Sequence, residues 1–201
     1  MQDLSEHIKC VLIGPERCGK TFFGKVLSGS QPHKRYIPTL GVDVSPFTIQ
    51  TKKEKDFKFD LWDCAGQERY SGLKDGYYIT SKAAIVMFSL NSRTSFKRAI
   101  EYIRTFRRME MNAPIVLCGN IFDNKTKIIV DEYILRIKEK CNNIDYFEVS
   151  ASRSEVCNIF LAVQSILNRI YKEQNIEVNQ GRMMPPLFHD FRRVEGLGNI
   201  I

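Results

Sequence analysis

The sequence predicts an α/β fold, in which a mostly parallel sheet carries helices on both faces. Short apolar runs alternate with amphipathic runs along the chain, which is the pattern of strands alternating with helices. Two of the runs, residues 83–90 and 115–118, are almost entirely apolar, as parallel strands buried on both faces should be. The length of 201 residues and the hydrophobic content of 43% suffice for one domain with a sizeable core.

The strands are predicted from apolar or alternating runs. Residues 8–13 form an apolar run that ends at Gly14, whereas residues 42–50 and 57–63 alternate between polar and apolar side chains. A charged turn joins these two alternating runs. In chain order, the predicted strands are residues 8–13, 42–50, 57–63, 83–90, 115–118 and 147–149.

Helices are predicted where apolar residues recur at helical spacing. Residues 21–27 follow the first strand as a helix, and residues 95–109 form a second helix with many Arg and Lys side chains away from its apolar face. That basic face is either a solvated surface, the commoner case, or a surface for an acidic partner. A capping-box sequence at 152–155 begins the last helix, whose apolar stripe runs to Ile170.

Composition sets the broad class of the protein. After about residue 174 the periodic pattern fades, so we predict a domain of residues 1–174 and a tail of residues 175–201. The formal net charge of +7 comes with no nucleic-acid motif, so no direct nucleic-acid binding is expected. The six cysteines contain no CxxC pair and are expected to be reduced, intracellular thiols. We expect no lipid anchor, because no cysteine stands near the C-terminus.

Residues 14–21, GPERCGKT, fit the phosphate-binding pattern G-x-x-x-x-G-K-[ST] between a predicted strand and a predicted helix. The backbone amides of residues 16–21 would face phosphate, Lys20 would bridge phosphate oxygens, and the Thr21 hydroxyl would hold Mg²⁺. A glycine-rich turn with an incidental Lys-Thr is the alternative, and a chance match is on the order of one per cent. The predicted nucleotide-binding residues here are Gly14, Glu16, Arg17, Cys18, Gly19, Lys20, Thr21 and Phe22.

The run DCAGQE, residues 63–68, ends a predicted strand and supplies the next candidate group. Asp63 is placed to hold Mg²⁺ through water, the Gly66 amide to reach a γ-phosphate, and Gln67 to orient an attacking water. D-x-x-G alone is usually a turn that ends a strand. After a phosphate loop, and followed by Gln-Glu, it favours a nucleotide site.

Two later loops are candidates for recognition of the base. Asn120 and Asp123 form an N-x-x-D pair after a predicted strand, and an Asp carboxylate can accept two N–H bonds from guanine but not from adenine. A plain turn is an equal alternative for that spacing alone. In the Ser150-Ala151-Ser152 loop a backbone amide could meet the guanine O6, and the same residues could also cap the last helix.

Taken in this order, the four motifs resemble those of the Ras superfamily of small GTPases over residues 8 to about 174, and within it the Ran branch. Residues 36–44, 62–70, 72–79 and 114–120 carry the resemblance to that branch. It implies the P-loop small-GTPase fold, with a six-stranded, mostly parallel sheet and about five helices. It also implies GTP or GDP as ligand, Mg²⁺ held by Thr21, Thr39 and Asp63, and Gln67 and Lys20 as catalytic residues.

The same resemblance implies a monomeric switch in the nucleus and cytoplasm that hydrolyses GTP slowly and serves nucleocytoplasmic transport. Effectors, an exchange factor, a GTPase activator and transport receptors would bind residues 36–44 and 63–79. Two alternatives stay open: an interaction module that binds GTP with little or no hydrolysis, and a Rab-like trafficking GTPase, against which the absence of a lipid site argues.

Three departures from the family pattern bear on function. Glu16 stands where relatives have a small residue beside the γ-phosphate, which predicts weak activator-stimulated hydrolysis. Ile121 and Ser152 replace lysines that flank guanine, which predicts weaker nucleotide retention, with guanine preference kept by Asp123. The tail lacks the acidic run of the Ran branch, so docking of the tail according to the bound nucleotide is in doubt.

Overall fold

The computed structural model describes residues 7–31, 36–52, 55–66, 76–121, 126–129, 131–141, 144–150, 156–172 and 176–178. The strands are β1 (Ile8–Ile13), β2 (Val42–Gln50), β3 (Asp56–Cys64), β4 (Ala83–Ser89), β5 (Ile115–Asn120) and β6 (Ile144–Val149). The helices are α1 (Lys20–Leu27), α2 (Arg93–Met109), α3 (Asp131–Lys140) and α4 (Val156–Tyr171). Residues 76–78 are also helical.

The six strands form a single sheet in the order β2-β3-β1-β4-β5-β6. Neighbouring strands are parallel throughout, except that β2 and β3 run antiparallel. The α/β class and the mostly parallel six-stranded sheet predicted from the sequence are therefore confirmed. Because the carboxyl ends of the five parallel strands meet at one edge, the loops that follow these strands are brought together there.

The helices cover the two faces of the sheet and divide the core into two layers. One layer packs Phe23 of α1 and Ile166 of α4 against β1, β3 and β4. The other packs Phe106 of α2 and Ile137 of α3 against the opposite face of the same strands and β5. Every residue of β4 and β5 is buried. This burial explains why their sequences are nearly continuous apolar runs rather than alternating ones.

Helix α3 was not among the helices predicted from the sequence, although its signals are present. Asp131 and Glu132 lie in its first turn and Lys138 and Lys140 in its last, which suits the helix dipole. Its buried side chains are Ile134 and Ile137, a stripe too narrow to stand out among the surrounding polar residues.

Strand β6 begins three residues before the predicted start at residue 147. It contains the polar residue Asp145, which the apolar pattern did not include and whose charge is paired in the fold. Asp145 accepts hydrogen bonds from Arg169 Nε and Nη2 of α4, both at 2.6 Å, and one from the Ser165 hydroxyl. The hydrogen bonds from Arg169, opposed in part by burial, hold the pKa of the Asp145 carboxyl below its usual range. The ion pair therefore fastens α4 to the edge of the sheet.

The remaining differences lie at element ends. Helix α2 begins at Arg93 rather than at the predicted residue 95, because Ser92 precedes it as the N-cap and its hydroxyl accepts from Ser95 N at 3.2 Å. Strands β3 and β5 are slightly longer than predicted, β4 ends one residue earlier, and α1 starts at Lys20. The capping box expected at 152–155 lies largely outside the described residues, and α4 is helical from Val156.

Residues 176–178, the described part of the predicted tail, lie against the body of the domain. Ile176 and Val178 are buried, and Val178 forms an antiparallel bridge with Thr51, which follows β2. Lys52 N donates to Glu177 O at 2.8 Å, and the two side chains form a salt bridge. The residue-174 boundary itself stays a prediction.

No disulfide joins the cysteines whose side chains are described. Among the described helices, none is both long enough and apolar enough to cross a bilayer.

Candidate nucleotide and magnesium site

The phosphate loop runs from Gly14 to Gly19, between the end of β1 and the start of α1. Gly19 has φ 97°, and a Cβ on it would lie 2.5 Å from Asn120 Nδ2 at the end of β5. Both the backbone conformation and the lack of space require glycine there. The loop therefore turns into the helix directly against β5, where the N-terminus of α1 directs its partial positive charge outward.

Lys20 is the only basic residue among the buried side chains of the described chain, with 6% of its surface exposed. Its Nζ donates to Gly14 O and to Pro15 O, both at 2.9 Å. These two carbonyls hold the ammonium group across the loop but do not neutralise its charge. A buried ammonium without a carboxylate in its hydrogen bonds is costly, and an anionic phosphate is the ligand that would offset this cost.

Thr21, Thr39 and Asp63 meet at one point beside the phosphate loop. The Thr21 hydroxyl donates to Asp63 Oδ2 at 2.6 Å and lies 2.9 Å from the Thr39 hydroxyl. These three side chains come from α1, from the segment before β2 and from β3. All three predicted metal ligands are thus brought together, although they are separated by up to 42 residues in sequence.

The chemistry of this group fits Mg²⁺. Hydroxyl and carboxylate oxygens are the hard donors that Mg²⁺ prefers. Asp63 is buried, and its second oxygen, Oδ1, has no hydrogen-bond partner in the described part of the chain. Burial raises the pKa of the Asp63 carboxyl above its usual range, against the opposing effects of the Thr21 hydrogen bond and the Lys20 charge. A cation bound at Oδ1 would stabilise the ionised carboxylate and so offset the energetic cost of burying it.

Gly66 brings the end of β3 against the phosphate loop. A Cβ on Gly66 would lie 2.7 Å from both Glu16 Cα and Lys20 Nζ, so only glycine permits this approach. The Gly66 carbonyl accepts a hydrogen bond from the Tyr102 hydroxyl of α2 at 3.3 Å. Gly66 therefore stands beside the loop where a γ-phosphate interaction was predicted, while Gln67 lies outside the described residues.

The predicted base-binding loops follow β5 and β6 at the same edge of the sheet. Asn120 is fully buried, and its Nδ2 donates to Cys18 O at 3.1 Å, which connects this loop to the phosphate loop. Ile121 N donates to Val149 O at 3.0 Å, and the Ile121 side chain packs against the core. Ile121 is half-buried in this position.

Ser150 is buried directly after β6, and its hydroxyl has no hydrogen-bond partner among the described residues. The other predicted base-binding residues, Asp123, Ala151 and Ser152, lie outside the described part of the chain. Their roles stay predictions.

An ion pair that sequence reasoning missed joins the segment before α3 to β6. Lys127 Nζ donates hydrogen bonds to the carboxylate of Glu148 in β6 and, at 3.2 Å, to that of Asp131 in α3. We call the Lys127–Glu148 pair the base-loop tether. Asn91 Nδ2 holds the same segment by donating to Thr126 O at 2.7 Å. The tether spans 21 residues, and neither partner belongs to a motif, so the sequence alone carries no signal for it.

The other predicted residues of the phosphate loop differ in exposure. Glu16 and Arg17 are exposed, whereas Cys18 is buried. Burial raises the pKa of the Cys18 thiol. Cys18 therefore contributes its backbone to the loop rather than a reactive thiolate. Phe22 is half-buried against the core in the first turn of α1.

Together these groups can bind a nucleoside phosphate with a divalent cation. Lys20, the helix N-terminus and the loop amides face the phosphate side, while the loops after β5 and β6 adjoin it at the same edge. Thr39 belongs to the segment before β2, so a change in the bound metal or phosphate would change the contacts of that segment.

Comparison with known protein families agrees with this arrangement. The model of the Ras family matches residues 9–172, which covers the four helices described and all six strands except Ile8, the first residue of β1. Proteins of this family are molecular switches that bind GTP or GDP with Mg²⁺, hydrolyse GTP, and bind regulators and effectors. The match extends over most of the chain and contains every element of the site, and the chain therefore belongs to the Ras family of GTP-binding proteins.

Proposed function

We propose that this protein is a Ran-like switch that binds GTP or GDP with Mg²⁺, hydrolyses GTP slowly and acts in nucleocytoplasmic transport. The sequence of residues 36–44 and of residues 72–79 supports the Ran-like assignment, because both resemble the switch segments of that branch. Its partners would be an exchange factor, an activator and transport receptors bound at residues 36–44 and 63–79. The protein would act as a monomer in the nucleus and the cytoplasm.

The contact between Thr39 and Thr21 carries the proposal of a switch. Thr39 belongs to an otherwise exposed segment, in which Ile37 and Leu40 are 59% and 79% exposed. Its hydroxyl is nevertheless held 2.9 Å from that of Thr21 at the predicted metal position. When bound there, Mg²⁺ would neutralise phosphate charge. Loss of the γ-phosphate would release Thr39 and so remove this attachment of the segment, which could then change partners.

Slow hydrolysis is proposed from the position of Glu16. The Glu16 backbone lies against Gly66, and its carboxylate is exposed at the mouth of the loop. A negative charge there opposes the charge that develops during phosphoryl transfer and competes for an activator's arginine. The same feature supports a second candidate, an interaction module that binds GTP but hydrolyses almost none.

Two measurements test the proposal and separate the candidates. Single-turnover GTP hydrolysis is measured with and without a Ran-type activator, for the natural chain and for Glu16→Gly. We expect slow hydrolysis that the substitution accelerates, whereas equal activator stimulation of both chains would refute the role of Glu16. Identification of the nucleotide that copurifies adds a second criterion, since GTP favours the interaction module and GDP favours a working cycle.

The transport role needs its own test. Immobilised transport receptor should retain the chain loaded with a non-hydrolysable GTP analogue and not the chain loaded with GDP. Equal retention of the two forms, or none of either, would count against a Ran-like role while leaving the guanine-nucleotide switch intact.

A further inference from the structure

The backbone of Arg17 is held in a conformation that residues other than glycine rarely adopt. Its φ is 59°, one of three positive values among the described residues other than glycine. Glycine would occupy this backbone conformation without steric cost. Backbone strain of this kind persists where the surrounding structure holds the residue, and it is concentrated at functional sites. The contacts of the Arg17 side chain are therefore informative.

The Arg17 guanidinium lies over the ring of Tyr36, with its Cζ 5.0 Å from the ring centroid. This is the geometry of a cation–π contact. Burial, followed by the negative charge of Glu16, raises the pKa of the Tyr36 hydroxyl, while Arg17 acts in the opposite direction. The side chains of Arg17 and Tyr36 therefore meet at the mouth of the phosphate loop, within reach of the charge of Glu16.

The contact reaches across from the loop to the segment that carries Thr39. Tyr36 lies three residues before Thr39, and its side chain is 52% exposed, so packing in the core does not hold it. The described segment 36–41 is thus attached to the phosphate loop and α1 at two points, Tyr36 to Arg17 and Thr39 to Thr21. Only the second point involves predicted metal ligands.

We propose that the Arg17–Tyr36 contact is a latch that holds segment 36–41 across the phosphate loop and slows the release of bound nucleotide. The proposal rests on the proposed function, because it presupposes that a guanine nucleotide occupies the site. Since the latch uses two side chains and no ligand atom, it acts in the GDP state as well as the GTP state. Arg17 and Tyr36 are positioning residues in this role, because they act through the segment that covers the nucleotide.

The latch predicts a specific pattern of release rates. Stopped-flow measurement with fluorescent N-methylanthraniloyl-GDP on the full chain gives the dissociation rate for each variant. Tyr36→Leu removes the ring and Arg17→Gln removes the charge while keeping a side chain of similar length. Each should speed release about two- to fivefold, the size of an exposed cation–π contact. Because each removes the same contact, the double variant should release no faster than the single ones.

Conservative and distant substitutions complete the design. Tyr36→Phe keeps the ring and should retain most of the slow release. Tyr133→Leu removes another exposed tyrosine, on α3, and should release at the natural rate. Hydrogen exchange of the backbone amides of Ile37, Thr39, Leu40 and Gly41 in the GDP form should speed up in Tyr36→Leu. That readout distinguishes a latch from a general loss of stability.

The outcomes separate the latch from the proposed function. Release at the natural rate in both single variants, or effects that multiply in the double variant, would overturn the latch while leaving nucleotide binding established. A natural chain that retains no fluorescent GDP would overturn both proposals. Faster release in the single variants, without further gain in the double variant and with rescue by Tyr36→Phe, would establish the latch.

Discussion

The approach of Gly66 to the phosphate loop makes Gly66→Ala the sharpest test of the site. The added Cβ would lie 2.7 Å from Glu16 Cα and from Lys20 Nζ. Lys20 Nζ ends a flexible side chain and can move, but Glu16 Cα is backbone and cannot move without displacing the loop. Overpacking of this kind costs about 1–3 kcal/mol.

The cost falls on one conformation rather than on the whole fold. Residues 65 and 66 follow the last residue of β3, so they can withdraw from the loop while the sheet stays intact. We call the arrangement in which Gly66 lies against the phosphate loop the closed arrangement. Gly66→Ala should therefore disfavour it by about 1–3 kcal/mol, which is a 5- to 150-fold change in the equilibrium between closed and withdrawn arrangements. Because Gly66 is predicted to meet the γ-phosphate, the affinity for a GTP analogue should fall by this factor relative to the affinity for GDP.

Competition titrations with fluorescent GDP and a non-hydrolysable GTP analogue measure that ratio directly. Gly76→Ala is the matched control, because a Cβ on Gly76 would meet nothing within 4 Å. It should leave the ratio of affinities unchanged. A GTP-to-GDP affinity ratio for Gly66→Ala within twofold of the natural value would refute the assigned closed arrangement.

Three further predictions concern the supports of the site and the domain. Lys127→Ala removes the base-loop tether and should speed GDP release about fivefold in the same stopped-flow assay, because a partly buried charge pair contributes roughly 1 kcal/mol. Arg136→Ala, which breaks an exposed ion pair on α3, should leave the release rate unchanged. Asp145→Asn should lower the melting temperature by about 2–4 °C at pH 7, which corresponds to roughly 1 kcal/mol after solvent screening. Because the pKa of Asp145 is lowered in the folded state, this difference should persist down to about pH 4 and disappear at lower pH, and a difference independent of pH would contradict the assignment. Val178→Asp places a charge at a buried position and should cost about 2–3 kcal/mol in urea unfolding. Glu177→Ala, which removes only the exposed ion pair with Lys52, should have a much smaller effect.

The parts of the structure that could be predicted from sequence are those in which neighbouring residues carry the information. Strands β4 and β5 were predictable because burial on both faces demands an apolar residue at every position. The phosphate loop was predictable because its glycines, lysine and threonine must stand at set spacings between a strand and a helix. Thr21 and Asp63 were assigned to the metal from their motifs and Thr39 through the family resemblance, and the structure brings the three side chains together.

Contacts between distant segments could not be predicted, because no local pattern specifies them. Asn120 supports Cys18 across 102 positions, a pairing that exists only because β1 and β5 lie on either side of β4. The base-loop tether likewise depends on the adjacency of β6 and the segment before α3. Asp145 was missed as a strand residue for a related reason, since its partner Arg169 lies 24 positions away on α4.

The geometry separates nucleotide binding from hydrolysis in this protein. The loop contacts that prepare the site for phosphate are made by backbone atoms, by the side chains of Lys20 and Asn120, and by the N-terminus of α1. Glu16 can therefore replace a small residue, and Arg17 can carry a long side chain, while the phosphate-facing groups keep their places. Their side chains act at the mouth instead, where Arg17 contacts Tyr36 and the charge of Glu16 acts on Tyr36. Substitutions at the mouth should change the rates of hydrolysis and release, whereas substitutions of Lys20 or Asn120 should change whether nucleotide is bound at all.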